Sequence, residues 1–522
     1  MKNRKLPKTK LSIYLLKEGC EENFLTENHD LEEVDSSDGL YTGIIPEKEP
    51  EWVEKFFLSE NINLTTQSVS AVLKKTIEFK DETKHFVICF GGGYHRINKN
   101  AIEKRFGLKT ALTMGNIKQV RSINKKDISA TPKIAQEQLS NTSDINSFTI
   151  DFQRDILQGV TLLLDQTKYQ KEHFGKTITG TDSFSITTSN TYKNIEKLLF
   201  KLYRIYKSDG YKKKGYDWID NINQVKDTQE KNKLDELLLD EIKESKAVIT
   251  YAPTGIVNWK DFEGFSFKSV DPEPDELSDE INLNDYLSEE KLKKVNSIKK
   301  FKDIRVNLIS SRNDSGGAYW TLYNCMNAEI DDNGRKFILT DGQWYEVDTD
   351  FLNGVESWWS TLNIIDSNLP AYRKVNDKHN EGAYNSQQAD DYNVLDKQNI
   401  IITGQSPIEP CDLYKDGEFI HVKVYRSSAS MSHLMAQALI SSILFVDSKE
   451  FREKFNAKLT NKLDLAEINK PTREKYQIVL AIITNKNDFT LPFFSKINLR
   501  TNMKNIERYG LDCRIEKIQG NY

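Results

Sequence analysis

The stretch from Cys411 to Gln437 reads CDLYKDGEFIHVKVYRSSASMSHLMAQ. It predicts a strand ending in Asp412, a turn at Asp416-Gly417, a second strand and then an amphipathic helix. Because alternate side chains of a strand point to opposite faces, the second strand has one apolar face and one mixed face. The apolar face carries Ile420, Val422 and Val424, and the mixed face carries Phe419, His421, Lys423 and Tyr425.

The mixed face predicts a site. It places an imidazole (His421) and an ammonium (Lys423) on an apolar strand, beside an aspartate (Asp412) that the neighbouring strand supplies. The alternative is an edge strand with one face in water, which accounts for His421 and Lys423 but not for the acid or the following helix.

The helix adds polar groups to this arrangement. Small and apolar residues at helical spacing predict its packing stripe: Met431, Leu434, Met435, Ala438, Leu439 and Ser442. His433 and Gln437 are one turn apart on a different side, from which they can point back toward the strand. The alternative for each is a side chain in solvent or one bound to a buried carbonyl.

An acid on one strand, an acid-x-lysine on the next and a helix with a polar inner face together resemble the core of the PD-(D/E)xK nuclease superfamily. The resemblance implies a restriction-endonuclease-like mixed sheet flanked by helices, in the order helix, three strands, helix, strand, helix, strand. It assigns the metal-binding aspartate to Asp412, the motif lysine to Lys423 and the helix glutamine to Gln437. Glu381 in EGAYN matches the glutamate of the helix before the first core strand, for which Val394–Asp396 and Asn399–Ile402 are the expected segments.

His421 departs from the family pattern, which has Glu or Asp two residues before the lysine. Imidazole is a softer ligand than the carboxylate that Mg²⁺ prefers. Three explanations stay open: His421 is a variant ligand, the missing carboxylate comes from Glu381 or Glu409, or the site is inactive and only the fold remains.

The resemblance implies phosphodiester hydrolysis with Mg²⁺ or Mn²⁺. Asp412, the Val422 carbonyl and either His421 or Glu381 would hold the metal. Lys423 would position or deprotonate the water, and His433 would contact a phosphate or donate to the leaving oxygen. Gln437 completes the candidate catalytic set.

Composition sets wider bounds. The chain has 522 residues, a net charge of −5 and a pI of about 6.0, so we expect two or three domains and only a local basic patch for any nucleic acid. Its five cysteines lack CxxC spacing, which favours reduced thiols over a zinc ribbon. Neither a secretory signal nor an apolar run of about 20 residues is recognisable, so we expect a cytoplasmic protein that does not contact a membrane.

Elsewhere we predict an amphipathic helix over Thr191–Tyr206, a hairpin of Lys336–Thr340 with Gln343–Val347, a strand over Leu108–Met114 and a helix over Phe148–Gly159. The glycine run Gly91–Gly93 lacks the spacing of a nucleotide-binding loop and predicts a tight turn. A weaker hypothesis makes the segment from Gly91 to Arg96 part of a small-molecule or nucleotide sensor.

The whole chain resembles an uncharacterised, sporadically distributed bacterial family of defence and mobile-element neighbourhoods. The resemblance lies in LSIYLLKEG at Leu11, FGLKTALTMG at Phe106, EGAYN at Glu381 and CDLY…IHVK…SHL at Cys411. It suggests a defence-system partner or a homo-oligomer.

The expected fold is α/β (α+β overall) with several domains. We expect an N-terminal sensor or substrate region over 1–290 with a sub-boundary near 145, a β-rich connection over 291–366 and the nuclease-like domain over 367–522. The expected function is a metal-dependent nuclease, with DNA as the substrate, in antiviral defence. The alternative is a catalytically inactive nuclease fold that binds nucleic acid or acts as a scaffold or sensor.

Overall fold

The computed structural model describes residues 8–27, 29–35, 39–48, 66–127, 132–169, 174–244, 249–255, 257, 259–260, 262–267, 277–282, 292, 294–310, 319–374, 380–403, 406–425, 428–486 and 489–521. The expected boundary at residues 290–291 lies outside this part of the chain. The fold is α+β with several antiparallel and mixed sheets, which confirms the predicted class.

The first sheet has ten antiparallel strands in the order β2-β3-β4-β5-β1-β10-β9-β8-β6-β7. They are β1 (Thr9–Leu15), β2 (Glu32–Asp35), β3 (Leu40–Lys48), β4 (Thr66–Phe79), β5 (Glu82–Gly91), β6 (Gly115–Asp127), β7 (Lys133–Ser143), β8 (Asp155–Leu164), β9 (Thr177–Gly180) and β10 (Phe184–Thr188). The helices α1 (Phe106–Met114) and α3 (Ile195–Tyr206) pack on this sheet, and α2 (Gln166–Tyr169) is a single turn. The apolar stripe of α3 is buried, as its spacing predicts.

Two predictions in this region are wrong. Leu108–Met114 belongs to helix α1, because Leu108, Ala111 and Leu112 follow helical spacing and are fully buried. The predicted helix over Phe148–Gly159 overlaps strand β8, which is buried on both faces, so its sequence lacks the alternation that marks a half-exposed strand. Gly107 lets α1 lie directly on the sheet, since a Cβ there would come 1.8 Å from the Ser183 carbonyl oxygen.

A second region has two antiparallel sheets, in the orders β11-β18-β17-β16-β12 and β13-β14-β15. Their strands are β11 (Ile222–Gln224), β12 (Ile249–Tyr251), β13 (Phe262–Ser266), β14 (Arg305–Ser310), β15 (Tyr319–Thr321), β16 (Met326–Asp332), β17 (Arg335–Thr340) and β18 (Gln343–Val347). The helices are α4 (Thr228–Lys243), α5 (Lys299–Asp303), α6 (Leu322–Cys325) and α7 (Thr349–Thr361). The predicted hairpin β17–β18 is present, with β17 beginning one residue earlier than predicted, at Arg335.

The C-terminal sheet is mixed, in the order β19-β25-β24-β23-β22-β21. Its strands are β19 (Ile364–Asp366), β20 (Tyr372–Arg373, beside β25), β21 (Asn393–Val394), β22 (Leu413–Lys415), β23 (Glu418–Val424), β24 (Gln477–Thr484) and β25 (Asp512–Asn521). The helices are α8 (Glu381–Ser386), α9 (Ser428–Asp447), α10 (Lys449–Lys458), α11 (Leu465–Asn469) and α12 (Phe493–Arg508). β23, β24, β25 and β19 run parallel, whereas β21, β22 and β23 form an antiparallel meander. From α8 onward the helices and strands follow the predicted order, with α10 and α11 added, but the first strand is reduced to Asn393–Val394 and Asn399–Ile402 is not a strand.

Buried polar contacts join the three regions. The Lys126 ammonium of the first sheet is 1 % exposed and donates to Thr340 Oγ1 (2.7 Å) and Asp341 Oδ1 (2.8 Å) at the β17–β18 turn. The Glu329 carboxylate of β16 accepts the backbone N–H groups of Phe493 (2.8 Å) and Phe494 (3.1 Å), which begin α12. These donors would otherwise lack partners, so Glu329 caps α12 from another sheet.

None of the helices in the described ranges combines the length and the apolar character that a membrane crossing requires. All five cysteines are free thiols.

Candidate functional site

Strand β23 lies inside the sheet, with β22 on one side and β24 on the other, so the edge-strand alternative is wrong. Both of its faces are covered. Ile420, Val422 and Val424 pack with the apolar residues of β24 and α8, while Phe419 packs beneath α9. The turn before β23 has the predicted positions, with positive φ at Asp416 and Gly417.

Asp412 lies directly before β22, where its carboxylate is held by two elements. Oδ2 accepts the backbone N–H of Val422 (2.7 Å), and Oδ1 accepts the side-chain amide of Asn385 in α8 (3.1 Å). The N–H and C=O of one strand residue point to the same side, so the Val422 carbonyl also faces this edge of β23.

Two further carboxylates meet Asp412. One oxygen each of Asp396, Glu409 and Asp412 lies within 4.8 Å of the others, and all three residues are half-buried. Asp396 is brought in because its N–H and that of Leu395 both donate to the Asp412 carbonyl (3.1 and 2.8 Å). We call Asp396, Glu409 and Asp412 the carboxylate cluster.

Glu409 is positioned from both sides of the carboxylate cluster. It accepts the backbone N–H of Lys397, a residue in the left-handed conformation, and the side-chain amide of Gln437 from α9 (3.2 Å). Gln437 therefore orients a carboxylate of the cluster.

The electrostatics of the cluster disfavour three ionised carboxylates. Burial raises the pKa of Asp412 to about 8, with smaller contributions from the negative charges of Glu409 and Asp396. Burial and then the Asp396 charge raise the pKa of Glu409, against the lowering effect of the Lys397 N–H. Lys423 is the cation that lowers both pKa values.

Two features of α8 suit a hard cation at this point. Asn385 is fully buried, and its Oδ1 has no hydrogen-bond partner among the described residues, although the same amide binds Asp412. Gly382 leaves room for Asp396, since a Cβ there would lie 2.9 Å from Asp396 Oδ2. Carboxylate and amide oxygens are the ligands that Mg²⁺ and Mn²⁺ prefer. The donor set of the cluster therefore fits such an ion.

His421 and Glu381, which the resemblance assigns as metal ligands, lie outside this cluster. Within the described part of the chain, the cluster is the one group of three or more Asp, Glu, His or Cys side chains that lie close enough to share an ion. It contains neither His421 nor Glu381. Of the two carboxylates considered as replacements for the missing acid, Glu409 is in the cluster and Glu381 is not.

His421 is 2 % exposed, and its Nε2 lies 3.3 Å from Ser441 Oγ of α9. Burial lowers the pKa of its imidazole to about 3, so the ring is neutral and its one described polar contact is within the core.

Glu381 instead pairs with Lys423. Its Oε2 lies 2.7 Å from Lys423 Nζ, and its Oε1 accepts the Val424 N–H (3.1 Å). The ion pair fixes the ammonium at the end of β23.

Of the two polar residues predicted to face the site from α9, one reaches the carboxylate cluster and one does not. Gln437 reaches the cluster, whereas His433, one turn earlier, is exposed. The packing stripe of α9 is buried except for Leu439, which is half-buried.

Asp396 is the cluster residue that sequence reasoning missed. The signal was present, because an acid directly follows the apolar pair Val394-Leu395, but its strand was predicted to pass through it. β21 ends at Val394, so Asp396 lies in the loop that turns toward Asp412.

Comparison with known proteins gives one match that spans the chain. No curated protein and no solved structure matches it. A family model described as "Family of unknown function (DUF6119)" matches residues 11–519, from the first strand of the ten-stranded sheet to the last strand of the C-terminal sheet. The chain therefore belongs to the DUF6119 family.

Proposed function

We propose that the chain is a metal-dependent nuclease that hydrolyses phosphodiester bonds, with DNA as the expected substrate. The observation that carries this proposal is the convergence of Asp396, Glu409 and Asp412 near the Lys423 ammonium. Three neighbouring carboxyl groups in a half-buried position repel one another when ionised, so bringing them together costs folding free energy. Such an arrangement is typical of a functional site.

The carboxylate cluster would hold Mg²⁺ or Mn²⁺, with Asn385 Oδ1 and the Val422 carbonyl as further oxygen ligands. When bound, such an ion supplies charge for the scissile phosphate and acidifies a water molecule. The carboxyl groups of the cluster must be ionised to hold the ion, because metal ligands bind in their deprotonated form.

Lys423 has the role of orienting the attacking water and neutralising charge that develops on the phosphate. Glu381 holds this ammonium in place through the 2.7 Å ion pair. Gln437 holds Glu409. Lys397 directly follows Asp396, His433 lies one helical turn before Gln437, and both are exposed. They would contact the phosphate backbone of a bound strand.

Two observations favour a second candidate, an inactive nuclease fold that binds nucleic acid or acts as a scaffold. The Lys423 ammonium is already engaged by Glu381, and the burial of Asp412 keeps its carboxyl protonated near neutral pH. A site whose charges are already balanced by an ion pair and a bound proton needs no metal ion.

Cleavage of supercoiled plasmid, single-stranded DNA and RNA by the purified protein, with Mg²⁺ or Mn²⁺, distinguishes these candidates. The test variants are Asp412→Asn and Lys423→Met. The matched controls are Asp390→Asn and Lys415→Met, which change exposed residues of the same region.

We expect metal-dependent cutting by the parent protein and both controls, and a loss of at least about a hundredfold in both test variants. Cutting that survives both test variants would refute the proposed site. No cutting by any protein, with nucleic-acid binding retained, would establish the inactive candidate. The proposed setting in antiviral defence is tested by plating phage on cells that express the parent protein or Lys423→Met.

A further inference from the structure

A second candidate site lies far along the chain from the carboxylate cluster, in a cleft between the ten-stranded sheet and the β17–β18 hairpin. The cleft has a volume of about 330 Å³, within the range of about 300–1,000 Å³ that small-molecule pockets occupy. Ligand pockets form preferentially at such boundaries between packed units. We call it the hairpin cleft; its lining includes Tyr14, Tyr94, Lys99, Arg105, Gln158 and Tyr345.

The charge of the hairpin cleft favours an anion. Its two acids are already compensated, since Asp182 pairs with Lys104 (2.8 Å) and Asp341 pairs with Lys126 (2.8 Å). Lys99 and Arg105 have no carboxylate partner among the described residues. The lining therefore carries two positive charges that no carboxylate neutralises, although Nη1 of Arg105 already donates to two backbone carbonyl oxygens.

Arg105 has a left-handed backbone conformation, which non-glycine residues rarely adopt. Its φ is 60°, and its N–H donates to Asp182 Oδ1 (3.0 Å). Its guanidinium donates to the carbonyl oxygens of Ile219 (2.6 Å) and Ile222 (2.9 Å) and lies 5.7 Å from the centre of the Tyr345 ring. A left-handed, non-glycine residue that is fixed by so many contacts is typical of a functional site.

The remaining lining suits a planar, polar group. Tyr94 is 51 % exposed and its ring lies 3.8 Å from the His95 ring, centre to centre, so the pair presents an aromatic surface for stacking. The Asn124 amide and the Gln158 carbonyl oxygen offer polar groups, whereas the Gln158 NH2 donates to Asp341 (3.2 Å) and the Gln343 amide is bound within the protein. Burial raises the pKa of the Tyr14 and Tyr345 hydroxyls, which stay protonated donors.

We infer that the hairpin cleft binds a nucleoside monophosphate, with the phosphate on Lys99 and Arg105 and the base against Tyr94. A ligand there touches strands of both regions and stabilises their contact. The inference does not depend on the nuclease proposal, because none of the cleft residues belongs to the carboxylate cluster.

Calorimetric titration of the full chain with AMP, GMP, CMP and UMP tests this inference, with a chelator present to keep the carboxylate cluster free of metal. Adenosine and inorganic phosphate are titrated separately. The test variants are Lys99→Glu and Tyr94→Ala, both at exposed positions. The matched controls are Lys168→Glu and Tyr192→Ala, whose side chains are similarly open to solvent outside the cleft.

We expect at least one nucleotide to bind with a dissociation constant below about 1 mM and to raise the melting temperature. Each test variant should weaken binding by about tenfold or more, the controls should not, and adenosine or phosphate alone should bind at least about tenfold more weakly. Asp412→Asn should leave the affinity unchanged. Absence of binding by all four nucleotides, or binding that both test variants retain, would overturn the inference.

Discussion

Proton release should accompany the binding of Mn²⁺ at the carboxylate cluster, because Asp412 must lose a proton to become a ligand. Burial and two neighbouring carboxylates raise its pKa from 3.8 to about 8. At about pH 7 only about one molecule in ten then has this carboxylate ionised, and at about pH 6 about one in a hundred.

The expected magnitude follows from these fractions. The apparent affinity for Mn²⁺ should rise about fiftyfold between about pH 6 and pH 8, which corresponds to about 2.3 kcal/mol, and flatten above about pH 8. Close to one proton should be released for each ion bound at about pH 7, and Glu409, whose pKa is also raised, adds to this number.

Without metal, the same group makes stability fall as the pH rises. The pKa of Asp412 in the folded state lies above its unfolded value, so the folded state binds the proton more tightly. The stabilising contribution of that proton is present below about pH 4 and is lost as the pH rises through about 8. Bound metal should cancel this loss.

Calorimetry of Mn²⁺ binding in two buffers with different ionisation enthalpies measures the protons released directly. Asp412→Asn should remove the part of the proton release that comes from Asp412 and most of the affinity, whereas Asp390→Asn should retain both. An affinity that is independent of pH between about pH 6 and pH 8 would show that Asp412 is not a ligand, or that its carboxyl is ionised throughout.

Three further predictions concern residues around the site. His421 has a pKa lowered to about 3, below the unfolded value of 6.5, so this imidazole by itself lowers stability by about 1.4 kcal/mol per pH unit on acidification below about pH 6, against the opposite contribution of Asp412 above about pH 4; the unfolding free energy of His421→Gln, relative to that of the parent, should therefore rise by this amount per unit on acidification, and a pH-independent difference between the two proteins would contradict the burial argument. Gly382→Ala should lower Mn²⁺ affinity by about tenfold, because the added Cβ displaces Asp396. The control Gly354→Ala in α7, where a Cβ meets nothing within 4 Å, should leave the affinity intact and stabilise the protein by about 0.5–1 kcal/mol. Equal Mn²⁺ affinities of the two variants would show that Asp396 adjusts freely. Glu329→Ala should cost about 1–3 kcal/mol in unfolding free energy, because it leaves two N–H groups of α12 without an acceptor; an unchanged melting temperature would mean that water replaces the carboxylate.

The local sequence pattern predicted the structure correctly where neighbouring residues alone determine the backbone conformation. The turn at Asp416-Gly417, strand β23 and the apolar stripe of α9 follow from positive-φ residues, alternation and helical spacing. The same reasoning failed at α1, whose short helix of almost uniformly buried residues has a weak periodic pattern.

Sequence alone therefore determined the strand-turn-strand-helix unit, the positions of Asp412, Lys423 and Gln437 on it, and the α+β class. Only the tertiary structure decided which groups meet. Asp396 and Glu409 join Asp412 through backbone contacts with a loop, Glu381 turns to Lys423, and His421 is enclosed beneath α9. These contacts join residues distant in the chain, so spacing alone could not specify which of them meet, and burial sets the shifted pKa values of Asp412 and His421.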